Sequence, residues 1–290
     1  MGIKVKIYLV LAAGAALSLA ASARAEENPF VYNYTADVEE AGETEAAFWA
    51  TDRRGKAEGH YDAQDYRLEL EHGFTERFSA SGYVNFSSHH IRGLEPDLAP
   101  VHRDLAFQGL SAEFRYKLLD DEKDGIGFAV YAEPGWSRIH DVEGQKGAEY
   151  ELELKAIFSK GFDKDKVVWA GNLTFEPEWE RERSNPDAPA GRWEKELKLQ
   201  ASTGVAFRIL PNLYLGAEAR YAGVYPDWTS GLHSEASAFF AGPTVSFSAD
   251  EWSATLSFMP QLGGSPSPIG GRNLDEFEKR EIRLRIAHEF

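Results

Sequence analysis

The chain has 290 residues, with 47 acids against 31 bases, a formal charge of −16 and no cysteine. That balance argues against nucleic acid as a partner, because binding to phosphate is carried by clustered cations. The missing thiols exclude disulfides, thiolate metal sites and cysteine nucleophiles.

At the start, Lys4 and Lys6 precede an apolar run from Ile7 to Ala21 that ends in Ala23-Arg24-Ala25. This is the plan of a secretory signal peptide over residues 1–25, with an A-x-A cleavage site. The segment holds three bases and no acid, so its removal takes the formal charge from −16 to −19. No other stretch approaches the roughly 20 apolar residues of a membrane-spanning helix. Residues 26–42 are polar and Pro-containing, and read as a lead-in segment that could tuck into a pore. The body of the protein is then 43–290.

In that body, apolar and polar residues alternate over twelve candidate strands, at about 43–51, 64–74, 77–87, 109–119, 126–136, 149–159, 167–180, 193–208, 213–225, 236–248, 252–262 and 277–290. Tyr66, Leu68 and Leu70 oppose Arg67, Glu69 and Glu71; Tyr150, Leu152 and Leu154 oppose Glu151, Glu153 and Lys155. A charge at every second position excludes a dry core on that face, so one face meets lipid and the other water. The connections alternate in length. Short ones fall at Gly73–Glu76, Asp120–Gly125, Gly161–Lys166, Pro211-Asn212 and Ala249–Glu251, and long ones at 52–63, 88–108, 137–148, 181–192, 226–235 and 263–276. Short turns and both termini belong in the periplasm under this pattern, and the long loops outside the cell.

Aromatic residues mark two interfaces. Trp49, Trp136, Tyr150, Trp179, Trp193, Tyr225 and Trp228 lie beside long loops; Phe74, Phe78, Phe162, Trp169, Phe207, Tyr214, Phe247, Trp252 and Phe290 lie beside short ones. The final run sets Ile282, Leu284, Ile286 and Phe290 on one side and Glu281, Arg283, Arg285 and Glu289 on the other.

With these features the chain resembles bacterial outer-membrane β-barrel proteins over residues 43–290. The resemblance implies an all-β fold, a transmembrane antiparallel up-and-down barrel of about twelve strands, in a Gram-negative outer membrane. It implies outer-membrane lipid and the barrel-insertion machinery as partners, the latter reading Ile282, Leu284, Ile286 and the terminal Phe290. It names no solute, because a fold does not settle a function.

Pairing the predicted strands gathers six carboxylates, Glu149, Glu151, Glu176, Glu178, Glu194 and Glu196, on one interior wall near the long loops. Glu180 falls beside Glu194, Glu178 beside Glu196 and Glu176 beside Lys198. A turn centred on Asp163 would add Glu151 beside Glu176 and Glu149 beside Glu178. Arg115, Lys117, Lys155, Arg208, Arg283 and Arg285 project inward nearer the short turns, so acid would sit above base. Walls of Glu select cations in pores, and a passive channel or small-solute transporter with an acidic outer lumen, favouring small cationic solutes, is the leading expectation.

The competing expectation is a non-conducting structural or adhesion barrel whose charges close into a network. A third, an outer-membrane lipid hydrolase, rests on Ser87 and His89 or Ser88 and His90, spaced two apart at what reads as a loop edge, without the His-x-Ser order of such enzymes. No catalytic set, metal set or cofactor motif stands out: Gly-rich phosphate loops and His-Glu-x-x-His are absent. Gly263–Gly271 reads as a flexible loop.

Overall fold

A computed structural model describes residues 28–94, 99–182, 193–267 and 270–290; residues 1–25, the expected signal peptide, lie outside them. Twelve strands run in order: β1 (Thr44–Arg54), β2 (His60–Thr75), β3 (Phe78–Arg92), β4 (Val101–Leu119), β5 (Gly127–Ile139), β6 (Lys146–Phe162), β7 (Val167–Glu182), β8 (Glu194–Leu210), β9 (Leu213–Pro226), β10 (Ala236–Ala249), β11 (Trp252–Ser265) and β12 (Arg280–Glu289). A single helical turn, α1 (Asp121–Asp124), joins β4 to β5. Each strand pairs antiparallel with its neighbours in sequence, and β1 pairs with β12, closing the barrel. Phe290 N donates to Thr44 O at 2.9 Å, sealing the last residue against the first strand.

Alternation decides the register, because a one-residue slip would turn every charge toward the apolar side. On β2, Glu69 and Glu71 are buried inside while Leu68 and Leu70 are 51% and 55% exposed outside. Leu110, Phe114, Leu173 and Phe207 continue this exposed apolar belt around the wall, more contiguous than a water-facing surface tolerates. The end bearing the short turns, the start of β1 and Phe290 is called the turn end below, and the opposite one the loop end.

Several strands outrun the expected limits. β3 reaches Arg92 and β4 begins at Val101, so most of the expected loop 88–108 is sheet; likewise β1 and β2 consume much of 52–63. The reason is that the outward residues there are polar: Asp52, Asp62, Gln64, His90 and His102 stand where an apolar residue would have marked the strand. Gly263 and Gly264 belong to β11 rather than to a loop. Trp49 and Tyr214 also depart from expectation, since both point inward rather than joining the aromatic girdles. Trp49 Nε1 donates to Glu69 at 2.7 Å and Tyr214 Oη to Asp165 O at 2.9 Å.

A twelve-stranded barrel is wider than the eight-stranded ones that wall side chains just fill. Here the remaining space is taken by chain. Residues 28–42 enter from the turn end and cross the lumen, and Phe30, Val31, Tyr32, Asn33 and Ala36 are all buried. From the loop end, the β5–β6 connection and the stretch 273–279 fold inward, burying Asn273, Leu274 and Glu278.

Candidate functional site

The lower lumen is built around the segment 28–42, which forms neither helix nor strand. Its backbone groups therefore need partners elsewhere, and the wall supplies them from seven different strands. Glu218 of β9 accepts from Val31 N at 3.4 Å and Tyr32 N at 2.8 Å. Asn172 of β7 makes a two-point contact, accepting from Tyr34 N at 2.7 Å and donating to Tyr34 O at 2.9 Å. Ser159 of β6 accepts from Ala36 N at 2.9 Å. Arg115 of β4 donates to Asp37 O at 3.0 Å and Arg283 of β12 to Val31 O at 3.3 Å. Ser202 of β8 and Thr244 of β10 reach Tyr32 O and Pro29 O at 3.5 Å each.

Cations and aromatic rings complete the seat. Arg220 and Arg283 lie 5.1 and 4.4 Å from the Tyr32 ring centre, and Arg115 and Lys155 lie 5.0 and 4.9 Å from that of Tyr34. Cation–π contacts of this kind contribute about 0.5–2 kcal/mol each. Phe30 packs on Ala170 and Ala206. A Cβ at Gly204 would lie 2.7 Å from the Phe30 ring, so only glycine lets that ring reach the wall. At the turn end the strand backbone closes on the segment: a Cβ at Gly73 would stand 1.9 Å from Glu40 O.

Four of the six expected inward bases thus hold the segment: Arg115, Lys155 and Arg283 as described, and Lys117 through Asp37 at 3.5 Å. Arg285 pairs with Glu45, and Arg208 donates to Tyr214 Oη at 2.8 Å. The expectation of a basic zone beneath an acidic one is corrected. Arg115 sits on Glu113 at 2.5 Å, Lys155 on Glu153 at 2.5 Å, Arg67 on Glu133 and Arg220 on Glu281. The lower lumen is a mixed lattice of pairs, which burial requires.

The upper lumen is closed differently, by loops drawn onto one guanidinium. Arg53 meets Asp65 at 2.8 Å and Glu278 at 3.3 Å, and donates to Asp141 O at 2.5 Å. His89 Nε2 donates to the same carbonyl at 2.9 Å, and Arg103 to Gly144 O at 3.1 Å. Gln261 Nε2 donates to Asn273 O at 2.8 Å and Glu278 O at 3.1 Å, and Phe277 packs on Phe240. His140 faces Glu180 at 3.2 Å. Burial works against charge on His140, but the bond to Glu180 and the charges of Asp141, Glu180 and Glu149 outweigh it and push the ring up to about 10. Asp141 is held well below the usual carboxylate range: Lys198, Arg53, His140 and His89 overcome its burial.

The acidic wall lies beside this latch. Glu180 faces Glu194, Glu178 faces Glu196 and Glu176 faces Lys198. Across β6–β7, however, Glu151 pairs with Glu178 and Glu149 with Glu180, two residues from the expected register. Asp163, Lys164 and Asp165 all take positive φ, so the turn centres one residue later than a turn on Asp163 would. The structure brings Glu149, Glu151 and Glu178 together, with one carboxylate oxygen of each within 4.8 Å of the others. Lys198 Nζ, 2.7 Å from Glu178, supplies a counter-charge. Glu194 stands apart, exposed at the rim.

The histidines are not loop-edge residues. His89 and His90 lie within β3 on opposite faces, His89 buried inside and His90 stacked outside on His102 at 4.5 Å. In neither expected pair, Ser87 with His89 or Ser88 with His90, does the hydroxyl bond the ring, and His90 lies 3.4 Å from Asp104. Ser88 Oγ donates to Arg103 O at 3.2 Å, while His89 is engaged with Asp141 O. On the outer face of β12, Ile286 is exposed and Phe290 is 69% exposed.

Glu218, Asn172 and Arg53 carry the arrangement but were not singled out by sequence. Each is an inward polar residue by alternation, and nothing local says that its partner lies far along the chain.

The sequence matches, over residues 22–290, a family described as "Family of unknown function (DUF6662)". No curated protein matches it. Among solved structures it is similar to an outer-membrane channel from Pseudomonas putida F1, with 13% identity and TM-score 0.57, covering 88% of this chain and 97% of that one. It is also similar to the translocator domain of the autotransporter NalP from Neisseria meningitidis, with 9% identity and TM-score 0.50, covering 87% and 90%. At these identities the likeness concerns fold, the closed barrel found in bacterial outer-membrane proteins.

Proposed function

This chain belongs to the family of unknown function DUF6662, and we propose that it is an outer-membrane channel for small solutes that rests closed. In this reading the apolar belt faces acyl chains, the turn end faces the periplasm and the loop end faces outward. Ile282, Leu284, Ile286 and Phe290 present the insertion signal on the lipid side. The acidic wall of Glu149, Glu151, Glu176, Glu178, Glu194 and Glu196 forms the outer vestibule and favours cations. The similar barrel from Pseudomonas putida is described as a channel, which agrees with this reading.

The observation that carries it is how the lumen is filled. The occupant at the turn end is a separate stretch of chain, held mostly by hydrogen bonds from polar wall groups to its backbone. Such bonds exchange for water at small net cost, about 0.5–1.5 kcal/mol each, so the wall stays wettable when the segment leaves. A barrel meant only as a scaffold gains more from apolar filling. The scaffold reading keeps one argument, the pairing of charges across neighbouring strands, as at Arg67–Glu133 and Arg220–Glu281.

Planar-bilayer recording separates the two. The wild-type chain should be silent or open briefly. The variant Tyr32→Ala/Tyr34→Ala/Arg53→Ala, which loosens segment and latch together, should conduct with cation preference. Silence of that variant, once its heat-modifiable gel migration shows a folded barrel, would overturn the channel in favour of the scaffold.

A further inference from the structure

The seat that holds residues 28–42 has the properties of a receptor for extended peptide. Nine backbone groups between Pro29 and Asp37 are bonded by wall side chains, from Thr244, Glu218, Arg283, Ser202, Asn172, Ser159 and Arg115. These contacts read N–H and C=O, which every peptide carries. Asn172 meets both groups of one residue, as a neighbouring strand would. Recognition through the main chain, with pockets for a few side chains, is how proteins bind extended peptides of varied sequence.

Side-chain reading is sparse by comparison. It consists of Asn33 on Glu218 at 2.9 Å, Asp37 on Lys117 at 3.5 Å, the cation-flanked rings of Tyr32 and Tyr34, and the apolar seats of Phe30, Val31 and Ala36. Two aromatic sites two residues apart are served by four cations from four strands, β4, β6, β9 and β12. Sugars and free ions would use neither the paired N–H and C=O partners nor the regular spacing of these partners along nine residues.

We propose that the lower lumen is a binding site for short extended peptides bearing aromatic residues, and that residues 28–38 occupy it as an internal stand-in for that solute. This rests on the reading that the segment leaves its seat in the working channel. The vestibule acids attract the amino terminus or basic residues of such a peptide, and the wall bases take up its carbonyl oxygens.

The test uses the full chain carrying Tyr32→Ala/Tyr34→Ala, folded in detergent, so that the seat is intact and its tethered occupant weakened. Fluorescence anisotropy is recorded with two labelled synthetic peptides: residues 28–38, and an unrelated sequence of the same length keeping two tyrosines two apart. Both should bind. Adding Asn172→Ala should weaken both about tenfold, the effect of losing one two-point hydrogen bond. Binding of the 28–38 peptide alone would overturn the proposal, because the seat would then be dedicated to its own segment. Binding that Asn172→Ala leaves unchanged would overturn it too, as would no binding by either. Anisotropy needs no current, so a peptide-binding barrel that never conducts counts against the channel and not against the seat.

Discussion

The two ends of the lumen are closed by opposite means. At the turn end one irregular segment is held through its main chain by groups spread over seven strands. At the loop end two connections are held by their charges and carbonyls, converging on Arg53. Distributed contacts let the first closure slip off stepwise, whereas the second depends on a single hub. Buried hydrogen bonds and ring contacts dominate the first, so salt should affect it less than the charges near an aqueous mouth, which salt screens. The two barriers act in series, so current reports whichever remains.

The largest effect is expected from the turn end. In an Arg53→Ala background, replacing Tyr32 and Tyr34 by Ala removes one buried and one half-buried ring, at about 3 kcal/mol for the first and less for the second. The open population should rise by more than about a hundredfold, read as open probability in single-channel recording. An unchanged probability would mean that the hydrogen bonds alone hold the segment.

Next in size is the hub itself. Arg53→Ala leaves Asp65 and Glu278 facing each other without their cation, at about 3 kcal/mol for a broken buried pair. The expected result is faster limited proteolysis within 140–145 and 273–279, with the barrel intact by heat-modifiable migration. Protection equal to wild type would show that Gln261 and Phe277 suffice to hold the loops.

A smaller effect concerns selectivity rather than closure. Glu149→Gln/Glu151→Gln/Glu178→Gln, in the conducting variant, removes the carboxylates that crowd within 4.8 Å of one another. A unit charge about 4 Å from a passing ion in water contributes about 1 kcal/mol. The cation-to-anion permeability ratio should fall roughly fivefold, and reversal potentials in a salt gradient measure it.

The same contrast explains what could be read from the chain. Strand alternation such as Leu68 against Glu69 encodes which face meets lipid, and with it the barrel, because each residue reports its own environment. The register of Glu178 with Glu196 is the one that alternation on β7 and β8 predicts. That of Glu149 is not, because three positive-φ residues in the Asp163–Asp165 turn shift the centre without a glycine to announce it. The seat was least legible. Glu218 and Asn172 look like ordinary lumen polar residues, and the partners of Glu218 at Val31 and Tyr32 lie 187 and 186 residues away in a segment with no periodicity. Arg53 was hidden for a related reason: beside Asp65 on β2, its partners Asp141 and Glu278 come from loops, whose inward folding has no pattern in sequence.

The subtlest prediction sets the two closures apart by pH. Glu39, at the foot of the segment, is half-buried among Glu71, Glu45, Glu289 and Glu43, and burial first, then those charges, push its carboxyl up from an ordinary 4.5 to about 8. Docking therefore takes up a proton. The docked state is favoured fully below about pH 4.5, loses ground as pH rises, and levels off above about 8. The latch titrates higher. His140 is raised from 6.5 to about 10, so its contribution is complete below 6.5, declines above that and is gone above about 10. Between pH 4.5 and 6.5 the turn end should loosen while the His140–Glu180 contact is unchanged. Open probability of the Arg53→Ala barrel should rise several-fold over that interval, by at most about tenfold per pH unit for one proton. Glu39→Gln should flatten the profile. A flat wild-type-segment profile, or a slope that survives Glu39→Gln, would place the proton elsewhere.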